Sequence, residues 1–193
     1  MAQLLNRFKI HNKLFEIIED AEEQLIIISP HIKLDDDYRR ALFYRIDDHR
    51  LRITIIFRKD EEAETNHLSQ EDFDFLKQFP NIEIKQCIKL NAKIYANERQ
   101  ALVTSMNLRC KAQEPDIEAG ILSKFNSISS FANLKGLLTG FTKDSLDQQI
   151  YDLTVQIIKK DSEIIFKTEP VYDKSFLTQT YLRSEIKINC SDD

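Results

Sequence analysis

The chain has 193 residues, 42% hydrophobic and 31% charged, with a formal net charge of −5, three glycines and four prolines. That is enough for one sizeable core and a small appendage, and the balance excludes collagen-like, low-complexity and repeat architectures. No apolar run approaches the roughly 20 residues of a membrane helix, and the negative charge opposes a broad, sequence-blind nucleic-acid surface.

Residues 4–22 repeat apolar side chains at helical spacing (Leu4, Leu5, Phe8, Leu14, Phe15, Ile17, Ile18), which predicts a first helix. QLIIISP is a continuous apolar run stopped by Pro30 and predicts a strand buried on both faces. Residues 35–48 predict a second helix, with Asp35, Asp36 and Asp37 at the positive end of its dipole rather than around a cation. LRITIIFR is a second buried strand, and KDEEAETNHLSQ is a polar loop. EDFDFLKQF is a helix ended by Pro80, with Phe73, Phe75, Leu76 and Phe79 facing the core, and NIEIKQC is a third strand. Strands alternating with helices predict parallel pairing through right-handed crossovers.

The pattern then changes. KIYAN and QALVTS are short strands joined at Asn97-Glu98-Arg99, which predicts a hairpin. Residues 116–123, DIEAGILS, predict a further strand in which Gly120 marks a close approach. Helices are expected over 127–138 and 145–160 and a strand at EIIFK; from Thr168 to Asp193 no pattern emerges. The expected fold is α/β, a mixed and largely parallel sheet flanked by helices, with a main domain over 1–160 and a C-terminal extension over 161–193.

Three cysteines without metal-type spacing, and a start lacking the apolar stretch of a secretory signal, predict reduced thiols in a cytoplasm. His11, His49 and His67 follow no nucleophile or metal spacing and are expected at the surface. His31 lies just past the first strand, where open α/β sheets place ligands. It is a site neighbour or an exposed loop residue.

Within the hairpin, Lys93 and Tyr95 alternate with Ala92, Ile94 and Ala96, so one face is polar. Antiparallel pairing brings Ser105 and Asn107 near Asn91 and Lys93. An ammonium, a hydroxyl and two carboxamides so placed can hold an anionic oxygen group through charge-assisted hydrogen bonds. Spacing alone fits a hairpin edge with exposed polar residues better.

The order of these residues resembles the signature of the phospholipase D superfamily, His-x-Lys-x-x-x-x-Asp followed by Gly/Thr-Ser-x-Asn. Asn91 occupies the His place, Lys93 the Lys place and Glu98 the Asp place, with Ser105 and Asn107 downstream. Glu118 stands where the family has a later glutamate. IIISPHIKL and ITIIFRKDE resemble the first two core strands of the small, single-motif, nuclease-like bacterial members, so the resemblance covers residues 1 to about 125. The hairpin is one residue shorter than the family's, Glu98 is a methylene longer than aspartate, and Thr104 replaces a glycine.

The resemblance implies a metal-independent phosphodiesterase without cofactor, an endonuclease on DNA in the first place or on RNA. In the family, the motif histidine forms a phosphohistidine, and a histidine from a second motif copy serves the leaving oxygen and the water. Lysine and asparagine, here Lys93 and Asn107, hold the phosphoryl oxygens; Ser105 supports them, and Glu118 takes the place of the orienting acid. One motif copy implies a homodimer, and the layout of the small relatives implies restriction or antiviral defence, alone or beside a motor ATPase, with no membrane. Arg58 and Lys59 are candidates for a neighbouring phosphate. Tyr95 is a base-stacking or dimer-interface residue.

Asn91 breaks the pattern, because a carboxamide nitrogen has a delocalised lone pair and is no nucleophile. The chain as written should bind a phosphodiester and fail to cleave it, either as a natural pseudoenzyme or as an enzyme whose nucleophile was replaced. A catalytically dead subunit that binds nucleic acid or a partner, and a lipid or small-phosphodiester hydrolase, are the alternatives.

Overall fold

A computed structural model describes residues 2–59, 67–108, 117–125, 145–174 and 179–190, with only the backbone of Lys174. The helix expected over 127–138 lies outside them. Among the described residues the chain forms β1 (Gln3–Asn6), α1 (Arg7–Glu19), β2 (Gln24–Ile28), α2 (Asp36–Phe43), β3 (Arg52–Lys59), α3 (Gln70–Leu76) and β4 (Ile82–Ile88). There follow β5 (Ile94–Asn97), β6 (Gln100–Thr104), β7 (Ala119–Lys124), α4 (Leu146–Gln156) with a π-turn at Ile157–Asp161, β8 (Glu163–Lys174) and β9 (Gln179–Asn189).

Each helix starts at a side-chain cap, where Asn6, Asp35, Ser69 and Ser145 accept the N–H of the residue three positions on. Capping explains why the first helix begins later than its apolar spacing predicts. Asn6 is extended, and the residues before it pair with β7, Leu4 opposite Ile121.

The strands make one sheet in the order β1-β7-β6-β5-β2-β3-β4-β8-β9. Only β2–β3 and β3–β4 are parallel; every other neighbouring pair runs antiparallel. The largely parallel expectation is therefore corrected to a mixed, mostly antiparallel sheet. Parallel pairing needs a crossover of a dozen or more residues, and α2 and α3 supply two. After β4 the chain turns at Lys89, which has a positive φ of 61°, and the short link to β5 leaves room only for an antiparallel return beside β2.

β2 is buried throughout because both faces are covered. Leu25 and Ile27 join Ile10, Leu14, Tyr38, Leu42, Phe73 and Leu76 beneath α1–α3, while Ile26 and Ile28 join Ile150, Ile157 and Ile158 beneath α4 and its π-turn. Gly120 lies where α1 crosses the sheet; a Cβ there would sit 3.1 Å from Leu102 Cδ1 and 3.2 Å from Ile10 Cγ1.

The unpatterned C-terminal stretch is a long β8–β9 hairpin that continues the sheet beyond β4. Its inner face is tied down by Thr168 Oγ1, which donates to Phe79 O at 2.9 Å, and by Ser184 Oγ, which donates to Pro80 O at 2.6 Å. His49 stacks on Tyr181 at 4.2 Å, and His11 lies against Phe15 and Tyr38. Neither is the free surface residue expected; both are half-buried. No helix among the described residues is long and apolar enough to cross a membrane.

Candidate phosphodiester site

Antiparallel pairing of β5 with β2 sets Ile94 opposite Ile28, so residues 91–93 arrive where the chain leaves β2. β6 returns beside β5, with Thr104 N donating to Lys93 O at 3.1 Å, and β7 lies beyond it with Gly120 opposite Thr104. The end of β2, the start of β5, the end of β6 and the start of β7 thus share one rim of the sheet. Asn91, Lys93, Ser105, Asn107 and Glu118 all sit on that rim.

Ser105 is the most tightly held. Its N–H donates to Ala119 O at 3.0 Å, its Oγ accepts from Ala119 N at 3.1 Å, and its hydroxyl donates to the Glu118 carboxylate. Thr104 Oγ1 donates to Ala119 O and accepts from Met106 N, which fixes the turn that carries Asn107. Asn107 Oδ1 lies 3.4 Å from Ser29 Oγ, and that hydroxyl also donates to His31 O at 2.8 Å and accepts from Leu108 N at 3.3 Å. Lys93 is half-buried with Nζ 3.3 Å from Asn91 O, and the Asn91 side chain is exposed. Arg58 and Lys59 end β3 on the same rim, where Arg58 N donates to Pro30 O at 3.3 Å.

Two expected site residues belong elsewhere. Glu98 lies in the β5–β6 turn, at the opposite end of β5 from Lys93, more than ~10 Å away at about 3.3 Å per residue. Its carboxylate accepts from the backbone N–H groups of Glu22, Glu23 and Gln24, each at 3.3 Å, and pairs with Arg99 at 3.5 Å. It therefore closes the entry to β2. Glu98→Ala should cost about 1–3 kcal/mol of stability by leaving those donors unmet, while affinity at the rim stays unchanged; urea unfolding and oligonucleotide titration of the same sample measure both.

Tyr95 is the second correction. It shares Lys93's side of β5, but α1–α3 cover that face up to this position, leaving it 1% exposed. Its hydroxyl donates to Met106 O at 2.9 Å, and burial pushes the phenol far above its ordinary range. It can neither stack on a base nor meet a second subunit; it supports the Asn107 turn from below.

Sequence reasoning missed Ser29, whose only signal was a small polar residue before the proline that stops β2. It also placed His67 at the surface, whereas His67 is 8% exposed and its Nδ1 lies 2.8 Å from His31 Nδ1. The described residues contain no group of three or more His, Cys, Asp and Glu arranged to hold a metal ion.

No protein-family profile and no curated protein sequence matches the chain. Its fold is similar to that of NucT from Helicobacter pylori, with a TM-score of 0.51 and 17% identity over 66% of this chain and 86% of that one. It is similar to Nuc from Salmonella typhimurium, a phospholipase D family member, with a TM-score of 0.54 and 11% identity over 85% of this chain and 97% of that one. A phosphatidylserine synthase from Haemophilus influenzae Rd KW20 gives a TM-score of 0.53 and 11% identity, over 84% of this chain and 39% of that one.

Proposed function

We propose, on the premise that this chain has the phospholipase D fold, that its rim cluster binds the phosphodiester backbone of nucleic acid and that Asn91 withholds the nucleophile for cleavage there. The observation that carries the reading is the gathering of Lys93, Ser105, Asn107 and Glu118 from three neighbouring strands onto one rim. The Lys93 ammonium and the Asn107 amide are the groups to hold non-bridging phosphoryl oxygens. Ser105 is committed to Glu118 and to the β7 backbone, which makes it a brace for the cluster.

Arg58 and Lys59, across β2 on the same rim, provide for a neighbouring phosphate. That favours a polymer, DNA in the first place or RNA, over a lipid headgroup or a small diester. A single cluster per chain makes the working unit a homodimer with two clusters across a two-fold axis. A strict monomer by sedimentation at micromolar concentration would count against it. In this reading residues 1–160 form the phospholipase D-like domain and the β8–β9 hairpin belongs to its extension. Restriction or antiviral defence in the cytoplasm, alone or beside a motor ATPase, is the setting that the family resemblance implies.

Lys93→Ala tests the binding. Affinity for a labelled oligonucleotide, followed by fluorescence anisotropy, should fall at least about tenfold, as for a lost charge-assisted hydrogen bond. The slope of log affinity against log salt should shrink by about 0.7–0.9. Unchanged affinity and slope would remove Lys93 from the site.

A further inference from the structure

We propose that His31, oriented by His67, is an acid–base residue of this site and gives the chain a slow, metal-independent phosphodiester hydrolysis that does not pass through position 91. The inference rests on the phosphodiester-binding reading above.

His31 is exposed on the loop that leaves β2, and one hydroxyl, that of Ser29, joins its carbonyl to the Asn107 side chain. The loop is pinned on both sides: Ile32 N donates to His67 O at 2.8 Å, and Lys33 N donates to Leu108 O at 2.8 Å. The loop that carries the imidazole is thereby tied, through the Ser29 hydroxyl and the Lys33–Leu108 bond, to the segment that carries Asn107, the amide proposed above to hold phosphate.

The ring itself is held. His31 Nδ1 and His67 Nδ1 are 2.8 Å apart, with centroids 4.4 Å apart and planes inclined at 51°. Two imidazole nitrogens at that distance cannot both carry hydrogen, so one donates and the other accepts. His67 is buried and its ring is fixed, so this bond sets the direction of the exposed ring. With His31 as the Nδ1–H donor, its Nε2 carries the lone pair and is the basic nitrogen. A base whose far nitrogen is fixed by a second group is the arrangement general-base catalysis needs.

The step balances without a further reagent. Water beside the bound diester gives a proton to His31 Nε2 as its oxygen bonds to phosphorus. The bond from phosphorus to the leaving oxygen breaks with its electron pair, and His31 returns the proton to that oxygen. His67 touches no reacting atom and is a positioning residue.

The experiment follows cleavage of an end-labelled oligonucleotide in EDTA by the full chain, with anisotropy on the same samples. The native chain should cleave slowly. His31→Ala should cleave at least about 100-fold more slowly, the scale of a lost general base, with oligonucleotide affinity retained. His67→Leu should lower kcat with KM unchanged, and His67→Asn, which restores a polar partner for Nδ1, should recover part of it; thermal melting confirms that each variant is folded. A native chain that binds but never cleaves, or a His31→Ala chain that cleaves at the native rate, overturns the inference and leaves the binding reading intact. Absence of binding by the native chain overturns both.

Discussion

Asn91→His should raise metal-independent cleavage of an oligonucleotide by about 100-fold or more over the native chain and leave acid-labile phosphate on the protein. Residue 91 lies in the link that leads into β5, two residues before the half-buried Lys93, and its side chain is exposed. An exposed substitution of this kind normally changes stability by no more than about 0.5 kcal/mol, so a change in rate can be read as chemistry. The imidazole nitrogen has an available lone pair, and attack on phosphorus splits hydrolysis into two easier displacements.

Two further observations would sharpen the result. His31→Ala in the Asn91→His background should abolish only the route that does not use residue 91, so the acid-labile phosphate should persist. If two subunits must meet for the second displacement, specific activity should rise with protein concentration below the dimer dissociation constant. A folded Asn91→His chain that binds the oligonucleotide without faster cleavage would show that position 91 is not aimed at phosphorus.

The second large effect concerns Asp72, which is 1% exposed at the start of α3. Its carboxylate pairs with Arg39 at 2.7 Å, accepts from Ser69 Oγ at 2.8 Å, and lies 3.4 Å from Leu34 N on the loop that follows His31. Arg39 also pairs with Glu71, and Glu71 first, then Asp72, raises its guanidinium above the ordinary value. Removing one member of a buried ion pair costs about 3–5 kcal/mol because its partners are left unmet. Arg39 keeps Glu71 and some solvent, so Asp72→Ala should fall near the lower end, about 3 kcal/mol, measured from urea midpoints. Asp72→Asn preserves an acceptor and should cost less than half as much. A loss below about 1 kcal/mol for Asp72→Ala would show that solvent replaces the carboxylate.

Among the described residues from Gln24 to Thr104 the sequence and the structure agree in the order of elements, because β2 and β3 are isoleucine-rich apolar runs and α2 and α3 each start at a capping side chain. Most of the polar loop expected after β3 lies outside the described residues. The agreement fails at the edges. Leu4 and Leu5 fit helical spacing yet belong to β1, since the cap at Asn6 starts the helix after them. In β8 and β9 the alternation is masked by charge, as in Arg183-Ser184-Glu185-Ile186-Lys187, where a strand near the sheet edge exposes much of both faces. The parallel expectation was an extrapolation from two crossovers to a whole sheet.

At the site, hairpin register alone was enough to bring Ser105 and Asn107 to the start of β5. The same spacing gave no warning that Glu98 points to the other end of the hairpin, because a motif fixes order in the chain and not the end of a strand at which a side chain finds donors. Tyr95 was misplaced for a related reason: alternation chooses a side of the sheet, whereas the extent of the helical layer decides whether that side is wet. The His31–His67 contact spans 36 residues and leaves no trace in local pattern.

The sheet divides the interior unequally. Three helices seal one face, whereas among the described residues only α4 and its π-turn cover the other, resting on Ile150, Ile157 and Ile158 against Ile26, Ile28, Ile56 and Ile94. Opening free energies follow the apolar contact each unit would lose. The α4 layer is therefore the part expected to exchange its amide protons by partial unfolding, before the whole molecule comes apart. The rim residues hang from strands that are also clamped by α1–α3, so such an excursion would leave their hydrogen bonds in place.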